Sequence, residues 1–476
     1  MLSCNKMRIE KVAMPDISDA NHSLPPPPGP GSRPSLDDLR TLRDGPHAFL
    51  LQIARQYGDI VRYPVGPLAV YLVVHPNGVK HVLQDNAKNY SKDTFQYNLL
   101  SSITGRGLLT SDGDFWLRQR RLAQPAFHRQ RIAGFAGLMI AYAEAMLVRW
   151  EDFSARGEPI DVAAEMMHLA LQIVGKALFS IEIGGAADEL AQATLVVLDH
   201  IVGRARTFGM VPQWLPTPGN LRYRKSLAVL EDAVNTTIAQ RRRDPGNTAD
   251  LLAMLMAARD PETGEGMTDR QLRDEMMTLL IAGHETVASA LAWTWYLLAT
   301  DPAAEAKLHA ELAAVLGGRT PQVDDLPDLR YTQAVFEEAL RLYPPAWIIT
   351  RKALADDEIL GCRVPANALV VTSPYVTHRQ AAAWTAPEAF DPDRFTGDRD
   401  AGRPRFAYYP FGGGPRLCIG DQFAMTEAKL VIATVAQRCR LTLVPDHPIA
   451  VEPGVTLRPK HGLLMRVEMR DVASQA

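Results

Sequence analysis

The sequence predicts a mainly α-helical chain with small β-sheets, an α+β fold, and three observations support this. Residues Phe115 to Leu316 keep helical periodicity with few helix breakers. Residues Asp59 to Val74 alternate apolar and polar side chains about Gly66-Pro67, which indicates a β-hairpin on the N-terminal side. Short β signals return near Leu360 to Thr372 and near Leu441 to Arg466. We therefore expect a helical body with a small sheet lobe and no internal repeats.

We predict two regions in the chain, an N-terminal tail and one large domain. Residues 1–34 mix charged and apolar side chains and end in a proline-rich lead-in, Pro25 to Pro28. No run there approaches the roughly 20 apolar residues of a spanning helix. We expect residues 1–34 to be a flexible tail without a membrane anchor and residues 35–476 to form a single domain, whose first helix covers Leu36 to Tyr57.

Composition argues against several classes of partner. The net charge of the 476-residue chain is -3, so no nucleic acid or anionic membrane partner is expected. The four cysteines are too few and too scattered for a disulfide framework, which fits a reduced, cytoplasmic environment.

The stretch from Pro410 to Gly420 carries the strongest chemical signal. Its three consecutive glycines allow a tight turn close to a flat object, and Arg416 stands two residues before Cys418. A helix predicted over Asp421 to Cys439 would place the Cys418 sulfur at a helix N-terminus, where the macrodipole favours a thiolate. A soft-ligand metal site suits this cysteine better than a disulfide, although a buried free cysteine is the simpler alternative.

A long helix is predicted from Thr268 to Thr300, opened by a capping box with Gln271. In its middle, Ala282 and Thr286 are four residues apart and share one face. Glu285 adds an acid beside the Thr286 hydroxyl, and these are the two groups that a proton relay needs. The alternative is a buried core helix with a packing glycine.

The complete pattern Phe-x-x-Gly-x-Arg-x-Cys-x-Gly, from Phe411 to Gly420, resembles the cysteine loop of the cytochrome P450 superfamily of haem-thiolate monooxygenases. The resemblance covers about Ser35 to Glu468. It implies a triangular α-rich domain with a minor β lobe and a haem b cofactor whose iron is bound by Cys418. It also implies that Thr286 positions the oxygen and its solvent while Glu285 passes protons inward.

The resemblance assigns further residues to the cofactor and to the fold. The Trp-x-x-x-Arg motif, Arg351 and the cysteine-loop arginine are implied to bind the two haem propionates, because arginine pairs bidentately with carboxylates. The Glu-x-x-Arg pair and a later arginine are implied to form a structural ion cluster without a chemical role. The cofactor residues are Trp116, Arg120, Ala282, Arg351, Phe411, Arg416 and Cys418, and the structural residues are Glu338, Arg341 and Arg394.

Substrate and partners are implied less specifically. Several blocks resemble bacterial carotenoid-ring hydroxylases, so a carotenoid or other terpenoid is the first choice and a long-chain fatty acid the second. The predicted pocket residues are Phe95, Leu109, Ala282, Ile348 and Ile349, which are largely apolar. Electrons are expected from a separate ferredoxin and ferredoxin reductase, because no flavin- or nicotinamide-binding segment follows the cysteine helix.

Two other functional hypotheses stay open beside that of an O2-dependent monooxygenase. A haem-thiolate isomerase or peroxygenase would not need Glu285 and Thr286. A non-catalytic haem-binding or sensor protein would show no turnover with ferredoxin and reductase. A basic face containing Arg118, Arg121, Arg129 and Arg131 is either solvated or a docking surface for an acidic electron donor.

Overall fold

A computed structural model describes residues 24–31, 40–43, 45–65, 68–180, 186–207, 210–244, 250–397 and 402–470. The predicted tail lies mostly outside these residues, as do the Gly66-Pro67 turn and residues 36–39 and 44 of the predicted first helix. Within them, helices predominate and the strands form small sheets. The predicted fold class is confirmed.

The helices are numbered in chain order, and most of them lie between residues 95 and 342. They are α1 Pro46–Tyr57, α2 Pro76–Lys80, α3 Phe95–Thr104, α4 Gly113–Ala123, α5 Arg129–Ala133, α6 Ala136–Arg156, α7 Val162–Phe179, α8 Ala186–Arg206, α9 Pro218–Arg243, α10 Leu251–Ala257, α11 Asp269–Thr300, α12 Pro302–Leu316, α13 Arg330–Leu342, α14 Pro374–Thr377 and α15 Asp421–Arg438.

The strands form one five-stranded sheet and smaller sheets. They are β1 Ile60–Val65, β2 Leu68–Val73, β3 Tyr90–Ser91, β4 Ile160–Asp161, β5 Ile349–Ala353, β6 Asp357–Ile359, β7 Cys362–Val364, β8 Leu369–Thr372, β9 Cys439–Leu443, β10 Val451–Pro453, β11 Leu457–Pro459 and β12 Leu464–Met469. The larger sheet has the order β1-β2-β8-β5-β3. Its first pair, β1 and β2, is the predicted hairpin, with Ile60 opposite Val73.

Helix α11 crosses the centre of the molecule. Its predicted capping box is present, with the Thr268 hydroxyl and the Gln271 side chain each bonded to the other residue's backbone amide. Twenty-two of its residues are buried, including Trp293, whose indole N–H donates to the Leu457 carbonyl at 2.9 Å. Because α11 is buried nearly all round, side chains at its middle can face an internal cavity.

Residues 129–156 form the one stretch among those described with the length and composition of a membrane span. Apolar side chains on one face of α6, including Met139, Met146 and Trp150, are buried in the main core with residues of α7 and α15, whereas Val148 is exposed. Helix α6 therefore packs one face into the core.

Candidate functional site

One face of α11 lines an internal cavity. Ala282, Gly283 and Thr286 contribute to its wall, and the Thr286 hydroxyl donates to the Ala282 carbonyl at 2.5 Å. A Cβ on Gly283 would lie 2.9 Å from a methyl group of Val174 on α7, so glycine lets the two helices pack closely. The spacing of four residues between Ala282 and Thr286 thus puts both on the cavity wall, as the helical pattern predicts.

The cysteine loop forms another wall of the same cavity, through residues 410–413, 416 and 418–420. Gly412 and Gly414 have φ of 73° and 64°, and the Cys418 amide donates to the Phe411 carbonyl at 3.0 Å. A Cβ on Gly414 would lie 1.9 Å from the Leu83 carbonyl oxygen. At Gly414, the glycine is therefore required by the protein's own backbone as well as by the tight turn.

The Cys418 thiol is open to the cavity but surrounded by protein. Burial raises the pKa of Cys418, while the Gly420 amide opposes this by hydrogen bonding. Desolvation therefore works against the thiolate that the helix N-terminus was expected to favour. A cation bound to the sulfur would supply the missing stabilisation of the thiolate.

Cationic side chains collect on one side of the cavity. Lys92, Arg351 and Arg416 line it, and all three are largely buried. Burial, followed by the charges of Arg351 and Arg416, holds the pKa of Lys92 well below its usual range. Burial likewise lowers the pKa of Arg416 to about 10, although its ion pair with Asp112 opposes the shift.

Lys92 was missed by the sequence analysis. It follows the two-residue strand β3, where a lone lysine carries no pattern, and its Nζ donates to the Leu109 carbonyl at 2.8 Å. Only its position beside Arg351 and Arg416 distinguishes it from a surface lysine.

Trp116 and Arg120, predicted to act as a pair on one propionate, lie behind the cavity wall. The Arg416 guanidinium stacks on the Trp116 ring, 3.6 Å from its centroid. Arg120 Nη1 donates to the Leu417 carbonyl at 3.0 Å, and burial lowers its pKa. Trp116 is therefore placed to orient Arg416, and Arg120 to hold the cysteine loop.

The three cavity-lining cations, Lys92, Arg351 and Arg416, fit a ligand with two carboxylates. Within the described part of the chain, Arg416 forms an ion pair with Asp112, whereas the side chains of Lys92 and Arg351 form none with a carboxylate. Buried charges are normally compensated, and haem b carries two propionates beside a flat apolar ring. The uncompensated positive charge, the thiol and the glycine-lined walls together fit haem b.

Glu285 is buried but does not line the cavity. Its carboxylate lies 3.8 Å from Arg458, which bonds Asp199 on α8 at 2.5 Å. Burial raises the pKa of Glu285, and the charge of Arg458 and a hydrogen bond with Thr456 oppose this. The acid is thus adjacent to Thr286 in sequence while its carboxylate is held on the side towards β11.

The three residues of the predicted ion cluster meet. Glu338 accepts from Arg341 Nε at 2.6 Å and from Arg394 Nε at 3.2 Å, and the Asp391 amide donates to it at 2.9 Å. Arg341 Nη2 also donates to Glu338 at 2.7 Å, and further guanidinium N–H groups donate to backbone carbonyls, including that of Pro387. Glu338 and Arg341 are 0% exposed, so the cluster is fully enclosed.

The predicted substrate pocket is reproduced in part. Leu109, Ala282 and Ile349 line the cavity. Phe95 and Ile348 do not: Phe95 begins α3 and is 42% exposed, while Ile348 packs in the cluster around α1 and β2. Because successive residues of an extended chain point to opposite sides, Ile349 and Ile348 cannot both face the cavity.

Two arginines of the predicted basic face are neutralised. Arg118 and Arg121 pair with acids of the loop before α11, including Asp260, which both contact. Arg129 and Arg131 are exposed, and Arg129 borders a surface cleft with Phe411 and Gly412. The basic face is therefore smaller than the sequence indicated.

Comparison with known proteins agrees with this geometry. The family model for cytochrome P450 matches residues 26–466. Cyclooctatin synthase from Streptomyces melanosporofaciens is 42% identical over 430 residues, which are 90% of this chain and 92% of that protein. Pentalenene oxygenase from Streptomyces avermitilis is 36% identical over 95% of this chain and 99% of that protein.

More distant relatives include plant proteins and solved structures. The LUTEIN DEFICIENT 5 protein of Arabidopsis thaliana is 33% identical over 88% of this chain and 74% of its own length. The crystal structure of the cytochrome P450DA heme domain has a TM-score of 0.86 and 30% sequence identity, covering 94% of this chain and 99% of that one. The chain therefore belongs to the cytochrome P450 family, binds haem b and is a monooxygenase.

Proposed function

We propose that the chain hydroxylates a terpenoid, with Cys418 as the iron ligand and one oxygen atom of O2 entering the product. The observation that carries this is the single cavity lined by the Cys418 thiol, the Ala282–Thr286 face of α11 and buried cations. When bound, haem b supplies the redox iron at which O2 is reduced and cleaved.

The protein's own groups have separate tasks in this proposal. Lys92, Arg351 and Arg416 neutralise the propionates, with Trp116 stacked on Arg416 and Arg120 holding the cysteine loop. Small Ala282 leaves room for O2 beside α11.

Thr286 and Glu285 handle protons. The Thr286 hydroxyl faces the cavity and can orient a solvent molecule there. Burial raises the pKa of Glu285, which favours the protonated form that a proton donor needs. Reaching the cavity requires its carboxylate to turn away from Arg458.

The remaining cavity wall supports a large apolar substrate. It includes Leu109, Leu279, Val287 and Ile349, with few polar groups apart from the cations. The names of the relatives, cyclooctatin synthase and pentalenene oxygenase, point to terpenoid substrates. A carotenoid is one member of this class, and we infer a terpenoid rather than a fatty acid.

We further propose that a ferredoxin with its reductase supplies the electrons in the cytoplasm. Arg129 and Arg131 are exposed, and Arg129 borders a cleft with residues of the cysteine loop, so positive charge is available for docking of an acidic donor. Turnover should therefore fall steeply with added salt.

Two measurements test the proposal. The reduced carbonyl adduct should absorb near 450 nm, and Cys418→Ala should lose that band and the activity; retention of both would overturn the assignment of the ligand. A binding screen of terpenoids, carotenoids and fatty acids, followed by product analysis, tests the substrate. Spectral shifts with fatty acids alone would contradict the terpenoid proposal.

A further inference from the structure

The segment 105–111, between α3 and α4, lies against the N-terminal half of α11. Two adjacent acids of that helix bind its backbone. Asp274 Oδ2 accepts from the Arg106 amide at 2.9 Å, and Glu275 Oε2 accepts from the Leu108 amide at 3.0 Å. Each contact joins a backbone N–H group of the segment to a side-chain oxygen of α11, so the two acids restrain the segment through its main chain.

The glycines of the segment show how close this contact is. A Cβ on Gly105 would lie 2.2 Å from Asp274 Oδ1, and a Cβ on Gly107 would lie 2.1 Å from the Thr278 hydroxyl. Gly105 also has φ of 61°, which favours glycine. The segment is therefore pressed onto the helix face that carries Asp274 and Thr278.

The same segment separates two spaces. Gly105 and Arg106 line an outer cleft together with Asp274, whereas Leu109 lines the inner cavity. At its far end, Ser111 and Asp112 bind Arg416. A shift of the segment would therefore move a wall of the substrate cavity and the partner of a cofactor-binding arginine together.

The carboxyl group of Glu275 is energetically unfavourable at this buried position. It is 1% exposed, and its second oxygen, Oε1, has no hydrogen-bond partner among the described residues. Burial raises the pKa of Glu275 to about 8, and the neighbouring Asp274 adds to the shift. An apolar residue would fill the site at lower cost, so the contact with the Leu108 amide is the feature that the acid provides.

We propose that Asp274 and Glu275 are positioning residues that hold segment 105–111 over the cavity and so restrict which substrates fit. The acids do not contact the substrate. They act through the amides of Arg106 and Leu108, which fix Leu109 in the wall. The effect on substrate choice rests on the proposed terpenoid function, whereas the holding of the segment does not.

Hydrogen exchange of the haem-loaded protein tests the holding directly. Glu275→Ala should speed amide exchange in residues 105–111 about fivefold or more, since the Leu108 amide loses its acceptor. Glu275→Gln keeps a side-chain carbonyl and should restore slow exchange. Asp269→Asn is the matched control, because Asp269 lies on the same helix and pairs with Arg242 instead. Full haem content is required of each variant.

Gly107→Ala approaches the same contact from the segment's side and does not remove the acid. Its methyl group meets the Thr278 hydroxyl, so exchange in residues 105–111 should rise as it does in Glu275→Ala. Unchanged exchange in both haem-loaded variants, or an equal rise in Asp269→Asn, would overturn the proposal.

Ligand binding tests the consequence for specificity. The probes are geranylgeraniol, a long terpenoid alcohol, and 4-phenylimidazole, a small ligand of the iron. Glu275→Ala should raise the ratio of the geranylgeraniol dissociation constant to the 4-phenylimidazole dissociation constant at least about threefold, and Glu275→Gln should restore the wild-type ratio. An unchanged ratio in Glu275→Ala contradicts the restricting role. If geranylgeraniol does not bind the wild-type protein, the terpenoid proposal fails while the exchange experiment still decides whether the acids hold the segment.

Discussion

Two buried clusters of charge in this molecule are built in opposite ways. Around Glu338, a carboxylate is bonded by Arg341 and Arg394, and backbone carbonyls take the other guanidinium N–H groups. Around the cavity, the side chains of Lys92 and Arg351 form no ion pair with a carboxylate among the described residues, and Arg416 pairs with Asp112.

The difference separates a structural role from a binding role. The first cluster needs nothing from outside, so its charges stabilise the fold whether or not a ligand is present. The second keeps cations whose charged forms are disfavoured by burial and by one another, as the lowered pKa of Lys92 shows. A ligand with two negative charges compensates these cations. Because binding relieves the unfavourable free energy of the uncompensated charges, it raises the affinity for the ligand.

The largest effect is expected when the self-sufficient cluster is broken. Glu338→Ala leaves Arg341 and Arg394 buried without their carboxylate, which typically costs about 3–5 kcal/mol. We expect loss of folded, haem-loaded protein, measured by haem content and thermal unfolding. Glu337→Ala, on the same helix but half-buried beside a surface cleft, is the control. A normal haem spectrum for Glu338→Ala would break the comparison.

Glu275, a buried acid with no cation bound to it in the described part of the chain, should give the next effect, which depends on pH. The folded protein keeps the Glu275 proton up to pH of about 8, the raised pKa, whereas the unfolded chain releases it near 4.5. Stability should therefore fall as pH rises between these values, by up to about 1.4 kcal/mol per pH unit, and level off above pH 8. Glu275→Gln should lack this fall.

Thermal unfolding of the wild type and Glu275→Gln between pH 5 and 9 measures the difference. The wild-type Tm should drop relative to that of the variant up to about pH 8. Parallel curves would mean that the Leu108 amide alone compensates the carboxylate, and Glu275 would then belong with the self-sufficient cluster.

What could be predicted from the sequence follows the same division. The hairpin, the capping box of α11 and the cysteine loop are local patterns, and each appears at its predicted residues. Lys92 and Asp112 come from separate segments and carry no pattern of their own, so only the folded chain places them beside Arg416.

The errors at the site have a similar cause. The thiolate prediction for Cys418 considered the helix end without the burial that only the fold defines. Neighbouring Ile348 and Ile349 were given one role, although the chain sends them to opposite sides. The contact between Glu275 and the Leu108 amide joins positions 167 residues apart, which no local pattern indicates.

The charge of Glu285 is only partly compensated, which is intermediate between the two kinds of cluster. Its cation, Arg458, is 3.8 Å away and is shared with Asp199. Glu285→Gln removes a proton donor without changing shape, and we expect turnover to fall about 100-fold, in the usual range for general acid catalysis. The rate of product formation at saturating substrate is the measurement. Asp199→Asn, near the surface, tests the shared cation, and turnover unchanged in Glu285→Gln would remove the acid from the relay.

The smallest change tests the binding cluster itself. Lys92→Met keeps an unbranched side chain, one atom shorter, but removes a charge that burial, Arg351 and Arg416 all disfavour. Haem should therefore dissociate about tenfold faster, equivalent to about 1.4 kcal/mol, while the haem-free protein should be at least as stable as the wild type. Transfer of haem to apomyoglobin and denaturation of the haem-free protein measure the two quantities. Arg341→Met, in the self-sufficient cluster, should destabilise the protein with or without haem, because Glu338 is then left buried without its closest cation. If Lys92→Met destabilises the haem-free protein as much as Arg341→Met does, the charge of Lys92 stabilises the fold itself. The proposed role of the cavity cations in binding the ligand would then be contradicted.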